Sequence, residues 1–385
     1  MGRTNRGAPL VGLALTMLIA GLLPMTTTRP GRATEPEVMP GPFRRGAVEH
    51  PERSDENLKC EGCHVEDARE WRASQHARSD SDPVYRRALA IEPLAFCRGC
   101  HAPEVSPEAA RAVSQIGVGC VTCHVTTTGS HGTLAATTPS AMRGPSPHPV
   151  IRSAVFSGDG ACSSCHEFDF PTGPSGAHGP GMGARARMQS TVSEHAASPL
   201  HDVPCANCHM PWTGDGTTRH RDHRFIASGD PSVLRSAVTV HAERTTDESI
   251  TITLETAAVG HAFPTGDLFR RVLVTAEAID DEWAVHGEAT RALHRRFRTI
   301  TLASGALGRV PVGDDRVLPE APRHVVLDLG VAAHGRAITW RVEYQRVEHP
   351  LDQERDLEAV VAESTLVASG TLNRNAPMAQ KDRNR

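Results

Sequence analysis

Residues Cys60-Glu-Gly-Cys63-His64 set a pattern that returns four times, as Cys97-Arg-Gly-Cys100-His101, Cys120-Val-Thr-Cys123-His124, Cys162-Ser-Ser-Cys165-His166 and Cys205-Ala-Asn-Cys208-His209. The five copies use all 10 cysteines of the chain, which leaves no thiol for a structural disulfide. A single C-x-x-C-H fits a thioredoxin-like redox pair or half of a zinc ribbon. Five copies, each with histidine directly after the second cysteine, fit covalent haem. In that reading the two thiols form thioethers to the porphyrin vinyl groups and the histidine offers its imidazole to the iron. The pattern predicts five haem c groups, with His64, His101, His124, His166 and His209 as proximal ligands.

Each iron then has a sixth position, and sixteen of the 21 histidines lie outside the motifs. A second histidine is the usual sixth ligand of a low-potential haem, whereas methionine raises the potential. His76 lies twelve residues beyond His64 on the helix-prone stretch Glu66–Ala77. His131 returns through a short loop after the third motif, and His223 follows the fifth in His220-Arg-Asp-His223-Arg-Phe225. His148 precedes the fourth motif, and His195 and His201 precede the fifth. For each of these the competing reading is a surface or hydrogen-bonding histidine. His261 is a further candidate in Gly260-His261-Ala-Phe263-Pro264-Thr265-Gly266, where two glycines able to take positive φ and one proline predict a rigid loop.

Outward from the motifs, the chain of 385 residues is lean: 39% hydrophobic and 4% aromatic, with 33 Gly and 28 Pro. Between His50 and Phe225 such a chain cannot offset its ordering entropy by side-chain burial alone, so porphyrin faces are expected to supply the core. Short helices are expected at 66–77, 83–91, 107–116 and 188–197, with loops at 138–147 and 171–183. Near residue 233 the pattern changes. Ser249-Ile-Thr-Ile-Thr-Leu-Glu255, Arg271–Glu277 and Ala337–Gln345 alternate with period two, and further strands are expected at 237–243, 297–302, 323–329 and 364–371. The predicted architecture is α+β: a pentahaem cytochrome c domain over 50–232, an antiparallel β-sandwich over 233–372, and a disordered tail over 373–385.

The amino end reads as a signal peptide over 1–33: Arg3 and Arg6, an apolar run from Val11 to Leu23, then small residues at Gly31-Arg32-Ala33. The run is shorter than the ~20 residues of a spanning helix, which weighs against a retained anchor. Cleavage would take the formal charge from −4 to −8. Export to the periplasm suits haem attachment, and the charge balance excludes a nucleic-acid partner.

Four stretches besides Trp71-x-x-Ser74-x-His76-Ala77 carry a family resemblance. They are Gly117-Val-Gly-Cys120 with His131 downstream, Pro204-Cys205-Ala-Asn-Cys208-His-Met-Pro211, Asp222-His223-Arg-Phe225 and Gly260–Gly266. From about His50 to Gly266 the chain resembles the multihaem c-type cytochromes that include the nitrifier tetrahaem cytochrome (cytochrome c-554-like) and the octahaem hydroxylamine oxidoreductases. The resemblance implies an α-rich domain of stacked haems that passes electrons through bis-histidine irons, with His76, His131 and His223 as sixth ligands. It departs from two enzyme relatives. All five motifs end in histidine, so the C-x-x-C-Lys catalytic haem of pentahaem nitrite reductases has no counterpart, and neither Lys59 nor Lys381 occupies that place. The two tyrosines, Tyr85 and Tyr344, and a motif count of five also differ from an octahaem enzyme with a tyrosine-linked haem.

No catalytic residue outside the ligands stands out, so electron transfer in anaerobic or nitrogen- and metal-linked respiration is the first expectation. A quinol-side donor and a terminal reductase or outer-membrane conduit are the partners this implies, with the β-domain as a possible dock onto a membrane complex. The rival is a haem oxidoreductase that acts on a small nitrogen or sulfur oxyanion at one open-faced iron.

Overall fold

Every motif lies on a helical turn, so its two thiols, three residues apart, share one helix face. The computed structural model describes residues 53–91, 93, 95–104, 116–125, 132–137, 146–170, 187–301, 307–348 and 357–374. The first cysteine pair ends α1 (Arg53–Cys63), and His64 precedes α2 (Val65–Arg72). The chain continues through α3 (Gln75–Arg78), α4 (Pro83–Ile91) and α5 (Ala95–His101), which carries the second motif. The third is α6 (Cys120–His124). Beyond α7 (Ala154–Ser157), α8 (Gly160–His166) carries the fourth. The fifth is α10 (Cys205–His209), which follows α9 (Thr191–Ala196).

The expected helix at 83–91 forms as α4. The stretch 66–77 does not form one helix. It breaks at Ser74, whose extended backbone and side chain cap α3 by accepting the Ala77 N–H at 3.1 Å, the role serine prefers over a helix interior. Residues 188–190 belong to β4 (Arg187–Ser190), paired antiparallel with β3 (Glu167–Asp169), and only α9 of that predicted helix is helical. Two further short pairs are β1 (Thr133–Ala136) with β2 (Val150–Ser153), and β5 (Trp212–Thr213) with β6 (His220–Arg221). The signal segment 1–33 and His131 lie outside the described residues, as do most of 107–116 and 138–147, all of 171–183, and the tail beyond 374.

After α11 (Pro231–Ser236) the chain turns to strands, as the alternating pattern requires. A three-stranded antiparallel sheet runs β13 (Arg323–Asp328), β8 (Ser249–Thr256), β7 (Val238–Arg244). A four-stranded one runs β10 (Val285–Leu293), β9 (Arg270–Ile279), β14 (Ala337–Val347), β15 (Val361–Leu372). A third pair joins β11 (Arg295–Thr301) to β12 (Leu307–Asp314). Ile250, Ile252, Leu254, Val325 and Leu327 of the first sheet and Val272, Val274, Ile338 and Val342 of the second belong to one buried core.

All described residues fall in one compact unit. Across the composition change near residue 233, Arg346 of β14 holds the Asp82 carboxylate with two bonds of 2.8 and 3.0 Å. Arg295 of β11 donates to the carbonyls of Arg187 and Met188 at 2.6 and 2.9 Å. The haem-motif region is thereby hydrogen-bonded to the strands.

Candidate functional site

The five proximal histidines stand at or just past the ends of their motif helices, and four of them face a second histidine ring. His64 and His148 have centroids 6.3 Å apart, His76 and His166 6.2 Å, His124 and His223 6.3 Å, and His209 and His261 6.1 Å. An iron between two imidazoles has metal–nitrogen bonds of about 2.0 Å, and each ring nitrogen lies about 1.1 Å from its ring centre, which puts the centres about 6.2 Å apart. All four separations fit a bis-imidazole iron.

The other ring nitrogen is anchored. Nδ1 of His209 faces the Ile226 carbonyl at 2.6 Å, that of His124 the Leu134 carbonyl at 2.9 Å, and that of His261 the Ala262 carbonyl at 3.1 Å. Such contacts fix the tautomer and leave Nε2 for a metal. Burial favours the neutral, ligating form of three of the rings: it pushes His76 down to about 3, and His124 and His166 to about 4.

Local chemistry explains why these residues end up opposite one another. The Trp71 indole N–H donates to the Val118 carbonyl at 2.8 Å, tying α2 to the segment that enters the third motif. Gly117 is required there, since a Cβ would lie 2.2 Å from the His76 carbonyl oxygen. Ser79 Oγ sits 2.8 Å from the carbonyls of both His76 and His101. The first amides of α6 and α10 are satisfied from the helices of other motifs: Asn57 of α1 accepts from Cys120 N–H at 2.6 Å, and Asp159, just before α8, from Cys205 N–H at 2.9 Å. Glu70 accepts the His223 N–H at 2.9 Å, and Phe225, with φ at +53°, sets its ring edge-on to His76 at 4.3 Å and to His223 at 6.0 Å.

His261 rides on the predicted rigid loop, which includes a cis Phe263–Pro264 bond. Glu194 accepts from Thr265 Oγ1 at 2.7 Å and Ala262 N–H at 3.3 Å, while Arg316 bonds Glu194 and the Pro264 carbonyl. Gly266 takes φ of +108°, as expected, whereas Gly260 is needed for closeness: a Cβ would lie 2.7 Å from His195 Cδ2.

Among the described residues His195 and His201 join no proximal ring. Buried His195 packs on Gly260 with its Nδ1 3.4 Å from Asp159, and His201 is more than half exposed. His101 stacks flat on the Tyr85 ring at 3.9 Å with Nδ1 3.1 Å from the Ser79 carbonyl, and no described histidine faces it. Buried Tyr85 Oη has no hydrogen-bond partner in the polypeptide, as a polar atom beside a bound prosthetic group would. No cluster of three or more His, Cys, Asp or Glu among the described residues is arranged for a bare metal ion. The residues present fit haem.

Sequence reading alone assigned no role to Asn57, Asp67, Asp159, Glu194 or Arg316. Only Asp67 leaves a local signal, an acid one helical turn past the first motif histidine.

Residues 59–143 match the family described as cytochrome c554 and c-prime. The crystal structure of a penta-haem cytochrome c552 from Thermochromatium tepidum covers 83% of this chain and 98% of its own, with a TM-score of 0.58 at 18% identity. A β-glucuronidase of glycoside hydrolase family 2 aligns over 36% of the chain at a TM-score of 0.16, too low to bear on the fold. No curated protein sequence matches significantly. The family pattern thus spans the first three motifs, and the chain shares the fold of a penta-haem cytochrome over most of its length.

Proposed function

We propose that this electron-transfer cytochrome carries five haems, is exported to the periplasm, and relays single electrons in anaerobic or nitrogen- and metal-linked respiration. The observation that carries the reading is the set of four facing histidine pairs at 6.1–6.3 Å. When bound, each haem supplies an iron that exchanges one electron between ferric and ferrous states. The chain's own residues would hold the facing imidazoles in fixed orientations, so that little would rearrange on reduction. Proximity between motifs supports a relay. The Cys100 thiol neighbours Cys165, and Cys162 neighbours Cys205, which groups the second, fourth and fifth sites. The first and third share Asp67, and Phe225 lies between the two groups. We take the two sheets with their shared core as a β-sandwich that buttresses the relay and supplies His261, and a quinol-side donor and a terminal reductase or outer-membrane conduit as its partners.

His261→Ala and His223→Ala in the full-length holoprotein should each convert one haem from low to high spin and leave the rest unchanged. An unaltered low-spin amplitude in either would remove that ligand. Steady-state turnover of nitrite, hydroxylamine or sulfite with a reduced dye would contradict the carrier reading.

A further inference from the structure

Asp67 lies between two of the facing pairs. Its Oδ2 is 3.5 Å from Nδ1 of His64, and its Oδ1 is 3.3 Å from Nδ1 of His223. His64 faces His148 and His223 faces His124, so the two contacts belong to different iron sites. Neither contact is to a backbone carbonyl, unlike those of His124, His209 and His261. His223 Nδ1 is buried, and the polar group beside it is the Asp67 carboxylate at 3.3 Å. Asp67 is itself one-third exposed and held by α2, one turn from His64.

We propose that Asp67 is a positioning residue shared by the first and third haems, and that its single carboxylate sets both reduction potentials together. The proposal rests on the axial pairs described above. A carboxylate at Nδ1 makes an imidazole more basic, and a basic ligand favours ferric iron. Its negative charge acts in the same direction on both sites, because it is nearly equidistant from the two rings. One acid therefore lowers two potentials. It also links them: the carboxylate cannot tighten onto one imidazole without loosening from the other, so oxidation at one site disfavours oxidation at its neighbour. Paired low potentials on the first and third haems would keep that group electron-poor relative to the second, fourth and fifth.

The test is a spectropotentiometric titration of full-length holoprotein bearing Asp67→Asn or Asp67→Ala, with electron paramagnetic resonance of the ferric state. Two of the five midpoint potentials should move positive, further in Asp67→Ala, with three unmoved and the low-spin count unchanged. His148→Ala and His223→Ala identify which potentials belong to the two sites. No shift, a shift at one haem only, or an equal shift at all five would overturn the proposal while leaving the axial pairs standing. If His148→Ala and His223→Ala produce no high-spin iron, the pairs fail and the proposal falls with them.

Discussion

Between residues 238 and 372 the protein is held by aliphatic side chains that the backbone brings together, such as Ile250, Ile252 and Leu254 against Val272, Val274 and Val342, all with no exposed surface. Between residues 53 and 230 the described residues form no buried apolar cluster of their own; Phe170 joins one only through Leu268 and Phe297 of the strand region. That first region buries apolar side chains singly, such as Val121 and Leu134, and packs rings and their tethers against one another: Trp71 on Val118, Tyr85 on His101, Phe225 on His76. One region carries its core in its sequence. The other, on the proposed reading, is built around haem.

This difference makes its largest prediction for the chain synthesised without haem attachment. Amide hydrogen exchange should show protection lost throughout 53–230, while β8, β9 and β14 remain slow to exchange. Equal protection in both regions would break the comparison, since side chains alone would then suffice for the first.

The same contrast decides what could be read from the sequence. Seven strands were legible because alternation records which side chains point inward, and β13 shows it plainly, with Val325 and Leu327 buried between exposed neighbours. Beyond residue 237 the two that were not foreseen are β10, an edge strand mostly exposed until Ala292 and Leu293, and β12, which carries Gly308, Pro311 and Gly313. In the motif region the five C-x-x-C-H repeats were legible as a pattern, each on a helical turn. Pairing of distal histidines was not, because it depends on contacts such as Ser79 with two distant carbonyls and Asn57 with Cys120, 63 residues on. His76, His148, His223 and His261 meet a proximal ring, while His195 was drawn away by Asp159 and Gly260.

A smaller effect sharpens the comparison from the strand side. Ile252→Ala removes a fully buried side chain of the shared core and should cost about 2–5 kcal/mol in denaturant unfolding of the strand region. The haem spectrum should not change. A shift in spin state would show that the aliphatic core and the iron sites are one cooperative structure.

Smaller still is the effect expected at the joint. Burial opposes the charge of Asp82, but the Arg346 guanidinium outweighs it and holds the carboxyl below its usual range. With the folded value depressed, the stability from this pair is present above the ordinary carboxyl pKa and is lost as pH falls through the folded value. Asp82→Asn should destabilise the holoprotein by about 1.5–3 kcal/mol at neutral pH and flatten its acid unfolding curve below about pH 4. An unchanged acid limb would mean that the pair does not couple the two regions.

The central claim is that a polypeptide with little core of its own arranges histidines in facing pairs around iron. Near-infrared magnetic circular dichroism of the ferric full-length holoprotein counts bis-imidazole irons, and mass spectrometry counts covalent haems. The account predicts five haems with at least four bis-imidazole irons; three or fewer such irons would contradict it.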